Sequence, residues 1–208
     1  GNSRVAKQAN IEMPKNFFSG LQATAHGKFT NIELWFGNKS FPKFFGWVVP
    51  EGNGTARIGI AAEKNPNNYY QNFLRKRINA VINPDVTGII RFGLMENTCS
   101  DRVLLVGDAA CQMKPISGGG ITYGLIGAKY AADAATKALE ENKFSFKFFK
   151  EHYDEKWKQE LSIGINRGLL YRKLLFTLSD FQMNVAFKAI KLFGRRFLEK
   201  LDFDLLLS

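Results

Sequence analysis

The chain has 208 residues, 45% of them hydrophobic and 13% aromatic, which is long and apolar enough to bury a sizeable core and excludes a disordered chain. Its formal net charge is +10, but the basic residues are spread along the sequence with no recognition motif, so nucleic acid is not an expected partner. Cys99 and Cys111 make neither a disulfide framework nor a metal site, no signal peptide is visible, and no uncharged apolar run reaches the ~18 residues that span a bilayer. A reducing, cytoplasmic location is expected, with attachment to a membrane surface left open by the basic charge.

The first half reads as strands. Residues 21–25 and 32–36 carry strand-like patterns, the second alternating Ile32, Leu34 and Phe36, with turns at His26-Gly27-Lys28 and Gly37-Asn38-Lys39. Phe45, Trp47 and Val49 fall on one face of a further strand. Residues 51–54 form a glycine-rich hairpin turn and 55–61 the return strand. Such an aromatic face either packs in a core or walls a cavity. Asn65-Pro66-Asn67 starts a helix over 68–82, with Phe73, Leu74, Arg77 and Ile78 at helical spacing, and residues 89–94 suit another strand. Together these make an antiparallel sheet with a covering helix.

The most telling stretch comes next. The apolar run 103–106 reads as a buried strand ending at Gly107 and Asp108, and the triplet Gly118, Gly119, Gly120 leads into a helix over 121–139 that opens at Ile121. Strand, acid, glycine turn and helix start present bare backbone N–H groups and a positive helix end to an electron-rich ligand. Asp108 is placed to accept hydrogen bonds from a ligand hydroxyl, and glycines let a flat ligand approach the main chain. Pro115 shapes the loop by fixing φ. Cys111 reads as a small buried residue or as a thiol close to that ligand, and Lys114 as an exposed lysine or a balance for ligand charge.

Asn142 and Ser145 open a further helical region rich in aromatics, and from 161 to the end the pattern stays helical with basic residues, Lys173, Lys188, Arg195 and Lys200 among them, interleaved. That pattern is a core-facing stripe with a solvated face, or a helix lying in a membrane interface. His26 and His152 stand apart from any partner motif and read as surface residues. No Ser-His-Asp or Cys-His arrangement is present, which argues against hydrolase chemistry, and no metal site is expected.

The segment GDAA…P…GGGI, with twelve positions from Asp108 to Gly120, resembles the second flavin motif of the p-hydroxybenzoate-hydroxylase-type flavoproteins, and within them it is most similar to the geranylgeranyl reductases. A second segment, PKFFGWVVPEGNGTARIG, is similar to the same family in Pro42, Phe45 and Trp47, Pro50, and Ile58-Gly59; Val49 departs from the family's usual phenylalanine. The resemblance implies FAD as cofactor, bound by Gly107, Asp108, Pro115, Gly118, Gly119, Gly120 and Ile121, with Phe45, Trp47, Pro50 and Gly59 lining the substrate cavity. No side chain in the sequence stands out as a proton donor.

Gly1 to Val5 resemble the end of the family's DGxxS element, and no GxGxxG is present, so the chain reads as the C-terminal part of such a reductase, with an FAD-binding N-terminal half as partner. The expected fold is α+β: a substrate-binding antiparallel sheet domain over 1–98, the returning strand–loop–helix of a Rossmann-like FAD domain over 99–140, and a helical region over 141–208. The implied function is an FAD-dependent oxidoreductase acting on CH–CH bonds, hydrogenating geranylgeranyl groups of prenyl lipids. A flavin monooxygenase or halogenase of the same fold, or a non-catalytic lipid-binding module, is the alternative.

Overall fold

The structure, a computed structural model, describes residues 2–193. Gly1 and the predicted helical positions Arg195 and Lys200 lie outside the described residues. The described residues divide into two compact units, one formed by the residues up to Asn16 with Arg91–Arg172, the other by Phe17–Ile90 with residues 173–193.

The second of these units is built on a five-stranded sheet. Strands β1 (Phe17–His26), β2 (Glu33–Trp35), β3 (Gly46–Gly52), β4 (Thr55–Ala62) and β5 (Val86–Arg91) lie in the order β2-β3-β4-β1-β5. β1 pairs antiparallel with β4 from Ser19↔Ala62 to His26↔Thr55, and β3 with β4 from Gly46↔Ile60 onward. The β3–β4 turn is Asn53-Gly54, both at positive φ (50° and 70°), as a two-residue hairpin matched to strand twist requires. Helix α1 (Arg4–Gln8) precedes these strands in the chain, and helix α2 (Pro66–Ile78) follows β4.

One sheet face, carrying Ala23, Ala25, Val48, Ala56, Ile58 and Ile60, buries against Tyr70, Phe73 and Leu74 of α2. α2 is shorter than the sequence suggests. Asn79 adopts the left-handed conformation (φ 50°) and its N–H bonds Arg75 O, closing the helix before Val81 and Ile82. β5 begins at Val86, three residues early, because pairing with β1 starts where Asp85 N–H meets Gln22 O.

The other unit holds a two-stranded ribbon, β6 (Cys99–Ser100) and β7 (Val103–Leu104), the 3-10 turn Gly107–Ala110, helices α3 (Ile121–Glu141) and α4 (Phe146–Phe149), and α5 (Glu155–Thr177) as far as Arg172; α6 (Asp180–Phe193) belongs to the sheet unit. The expected strand over 103–106 is only two residues of ladder, since β6 is its one partner among the described residues and Gly107 (φ 63°) turns the chain away. Asn142 ends α3 as a left-handed cap rather than opening a helix, while Ser145 caps α4 through Phe148 N–H. A single π-helical turn, Lys150–Asp154, joins α4 to α5. The extra residue lets Tyr153 and Asp154, neighbours in sequence, both point inward. The core here gathers Tyr123, Ala131, Ala134, Phe148, Phe149, Tyr153, Trp157, Leu161 and Ile165. No helix among the described residues is long and apolar enough to cross a membrane.

Candidate functional site

The glycine segment folds into a close-packed turn. Gly107–Ala110 is a 3-10 turn that ends at Cys111 (φ 53°), and residues 114–119 close on themselves through Lys114 N–H to Gly119 O (2.9 Å) and Gly118 N–H to Lys114 O (2.9 Å). Gly118 takes φ 73°, a conformation that disfavours a side chain. α3 then starts at Gly120 with no capping side chain, and its first bond is Gly124 N–H to Gly120 O (2.7 Å). The amides of Ile121, Thr122 and Tyr123 therefore have no acceptor among the described residues, at the positive end of a 21-residue helix.

Asp108 is exposed beside this start: a methyl group built on Gly120 would stand 3.1 Å from its Oδ1. One built on Gly107 would meet nothing within 4 Å, so the ground in front of the turn is open. An exposed carboxylate, unclaimed amides and bare glycine backbone suit a flat ligand with acceptors on one edge and hydroxyls on its tail.

The turn is anchored from behind. Gln112, fully buried, takes Gly107 N–H on Oε1 (2.8 Å), and its own backbone N–H bonds Gly107 O (3.0 Å). Its Nε2 donates to Tyr153 Oη (3.0 Å), which in turn donates to Leu105 O. Burial pushes the Tyr153 phenol well above its ordinary pKa, so it remains a donor. Pro115 packs on Gly168 of α5, and its carbonyl accepts from the buried Arg172 guanidinium (2.7 Å), which also lies over the Phe92 ring.

A second network fixes the π turn. Asp154, 1% exposed, accepts from Thr98 N–H (2.8 Å), Thr98 Oγ1 (2.6 Å) and the Lys158 ammonium (2.6 Å), while Trp157 Nε1 donates to Thr98 Oγ1 (2.9 Å). Sequence reasoning missed Gln112, Tyr153, Arg172 and Asp154. Only Asp154 left a local signal, the acid-before-base i, i+4 spacing to Lys158.

In the sheet unit, Phe45 and Trp47 occupy the β3 face opposite Val48, and both are half-buried rather than packed in the core. Phe45 stacks on Phe44 (4.4 Å between centroids) and contacts Phe36 (5.6 Å) and Trp47 (6.2 Å), and Phe36 touches Phe187 of α6 (5.2 Å). Trp47 donates to Gln22 Oε1 (2.9 Å) and its indole lies across Gly59, where an added methyl would come within 2.5 Å of the ring. Gly59 is thus the space that Trp47 occupies. Pro50 alternates onto the Val48 side of the strand.

Cys111 is buried among Ala6, Ile11, Leu105 and Ala110, and burial pushes its thiol up to about 11. Lys114 Nζ lies 5.8 Å from the Tyr123 ring centroid. His26 is exposed, as expected, but His152 is half-buried, stacked on Phe148 (4.2 Å) with Nε2 2.8 Å from Lys137 Nζ. No group of three metal-ligating side chains occurs among the described residues.

No protein-family model matches the chain. It is 35% identical over 156 residues to an uncharacterised protein of Methanocaldococcus jannaschii (72% of this chain, 39% of that one). It is 28% identical over 201 residues to digeranylgeranylglycerophospholipid reductase 2 of Methanothermobacter thermautotrophicus (91% and 52%). The chain thus spans about half the length, or less, of these relatives.

Among solved structures, a geranylgeranyl bacteriochlorophyll reductase-like protein of Thermoplasma acidophilum superposes with a TM-score of 0.73 at 24% identity (85% of this chain, 47% of that one). The flavin-dependent halogenase CmlS superposes at 0.52 and 16% identity (79% and 33%). By sequence the chain is a homologue of the digeranylgeranylglycerophospholipid reductases, and its fold is that of the geranylgeranyl bacteriochlorophyll reductase-like protein.

Proposed function

We propose that this chain is part of an FAD-dependent reductase that saturates isoprenoid double bonds of a prenyl lipid. The observation that carries the reading is the uncapped start of α3 beside exposed Asp108, in a homologue of reductases named for a prenyl glycerophospholipid. The residues fit an isoalloxazine: three unclaimed amides at a helix's positive end, glycine where the ring approaches, and open space before Gly107.

In this reading Asp108 accepts hydrogen bonds from the ribityl hydroxyls, and the Gly120 and Ile121 amides face the electron-rich edge of the ring. Gly107, Gly118 and Gly119 keep the approach free, and Pro115, held by Arg172, locks the loop. FAD, when bound, supplies hydride chemistry for the alkene. Phe45 and Trp47, the latter seated over Gly59, form an apolar wall that orients the chain of the lipid and excludes water, while Pro50, on the opposite side of the strand, stands outside it. No side chain is assigned as proton donor.

The ADP end of the cofactor is assigned to a companion FAD-binding half, in the same or another chain. Ile121, Leu125 and Leu139, exposed along α3, support such a companion. Leu174, Phe181 and Val185, exposed among Lys173 and Lys188, support peripheral contact with an anionic membrane.

The test is to reconstitute the chain with the companion half of a relative, supply reduced FAD and a geranylgeranyl lipid, and follow product mass. The expected result is a gain of one H2 per double bond. No gain, or peroxide release with an aromatic substrate instead, rejects the reductase.

A further inference from the structure

We infer that Gln112, Gly127 and Tyr153 form a clamp that positions the Gly107–Ala110 turn, and through it Asp108, against the first turn of α3. The inference deepens the flavin reading and rests on it for its purpose, though not for its geometry.

Gly107 has both of its backbone groups taken by one residue. Its N–H goes to Gln112 Oε1 and its carbonyl receives Gln112 N–H. A primary amide this deeply buried is tolerated only when bonded at both ends. The direction of the bonds is also set: Gly107 can only donate to the carboxamide oxygen, so the NH2 group must face Tyr153, whose hydroxyl is then left to donate to Leu105 O. Gln112 and Tyr153 therefore tie down Leu105, the residue after β7, and Gly107, the first residue of the turn. Asp108 follows directly.

Space for the clamp comes from α3. A methyl group on Gly127 would overlap the Gln112 carboxamide, and one on Gly124 would come within 3.4 Å of the Gly107 Cα. Gly120, Gly124 and Gly127 lie on one helix face, which allows the turn to sit against the backbone of α3. Tyr153 reaches Gln112 from the π turn, 41 residues away in sequence. Three positions far apart in the chain thus share one effect.

A volume-filling role and a clamp rank substitutions in opposite order. Gln112→Met keeps the volume and loses both hydrogen bonds; Gln112→Glu keeps an acceptor for Gly107 N–H. The measurement is amide hydrogen exchange at Gly107 and Asp108, referred to the exchange of central α3 and α5 amides in the same sample. Gln112→Met is expected to speed local exchange about tenfold or more, the usual consequence of stranding a buried donor, and Gln112→Glu to restore most of the protection. Gly127→Ala gives the same local signature, and adds little in a Gln112→Ala background, where the methyl has room.

Equal protection in Gln112→Met and the unaltered chain, or protection better in Met than in Glu, overturns the clamp, as does full additivity of Gly127→Ala and Gln112→Ala. A parallel FAD titration keeps the two readings separate. Exchange that responds as described supports the clamp even where FAD shifts no amide between Gly107 and Ile121, a result that counts against the flavin site alone.

Discussion

Gly120→Ala separates the site from the fold. Gly120 sits at φ −111°, ψ −9°, a backbone open to any L-residue, so the substitution introduces no torsional strain. The added methyl would stand 3.1 Å from Asp108 Oδ1 and 3.7 Å from both Gln112 O and Met113 Cβ, and only the first is tight. Asp108 is exposed and can yield by a few tenths of an ångström. Reduced unfolded-state entropy favours alanine by about 0.4–1 kcal/mol, while the preference of helix N-caps for glycine over alanine opposes it by a similar amount. Folding stability is expected to change by about 0.5 kcal/mol or less, a shift of about 2 °C or less in Tm for a chain of this size.

Ligand binding responds differently, because the methyl fills the ground between Asp108 and the unclaimed amides of α3. Displacing hydrogen bonds to an electron-rich ring edge costs about 1.5–3 kcal/mol, or roughly tenfold to 150-fold in Kd. The assays are thermal unfolding by circular dichroism and FAD titration of the reconstituted protein by visible absorbance. FAD affinity within about threefold of the unaltered protein, while Asp108→Ala weakens it, would remove Gly120 from the site. A Tm drop of more than about 5 °C would show that the turn does not have the room described.

Two further outcomes test the scaffold. Asp154→Ala leaves the Lys158 ammonium and the Thr98 donors without their acceptor and is expected to destabilise the protein by about 3–5 kcal/mol, lowering Tm by about 6–20 °C; a change under 2 °C in calorimetry would refute the network's role. Glu33 has its pKa lowered first by its hydrogen bonds from Arg77, so its stabilising effect is present above the ordinary carboxylate value of about 4.3 and fades as pH falls through the lowered one. Glu33→Gln should therefore flatten the Tm profile on the acid side, below the ordinary carboxylate range, and an unchanged acid limb would disprove that contribution.

Local patterns were legible where local chemistry decides them. The hairpin expected over residues 51–54 is present, its turn narrowed to Asn53-Gly54 because β3 runs on to Gly52, and α3 was readable from its glycine entry and its proline-free run. The Gly107–Ile121 segment could be recognised for the same reason: bare backbone at a helix start needs glycine at fixed spacings. Element ends were less readable. The 103–106 run is apolar enough for four residues of strand, but ladder length depends on the partner, and β6 offers two residues.

What sequence periodicity could not decide was which face of a strand is buried and which distant side chains meet. Phe45, Trp47 and Val49 alternate with Phe44, Gly46 and Val48, and both sets are apolar. Packing against α2 selected the Gly46–Val48 face for the core and left the aromatic face half-open, with Gly59 as the hollow under Trp47. The support of the glycine turn was equally hidden, since Gln112, Gly127 and Tyr153 are joined only by the approach of α3 and the π turn. The chain's local chemistry thus dictated its turns, its helix starts and the bare glycine backbone ahead of α3, because those follow from the torsions each residue allows. The buried faces and the long-range hydrogen bonds that hold the turn arose from packing, because they require surfaces that only the assembled fold brings together.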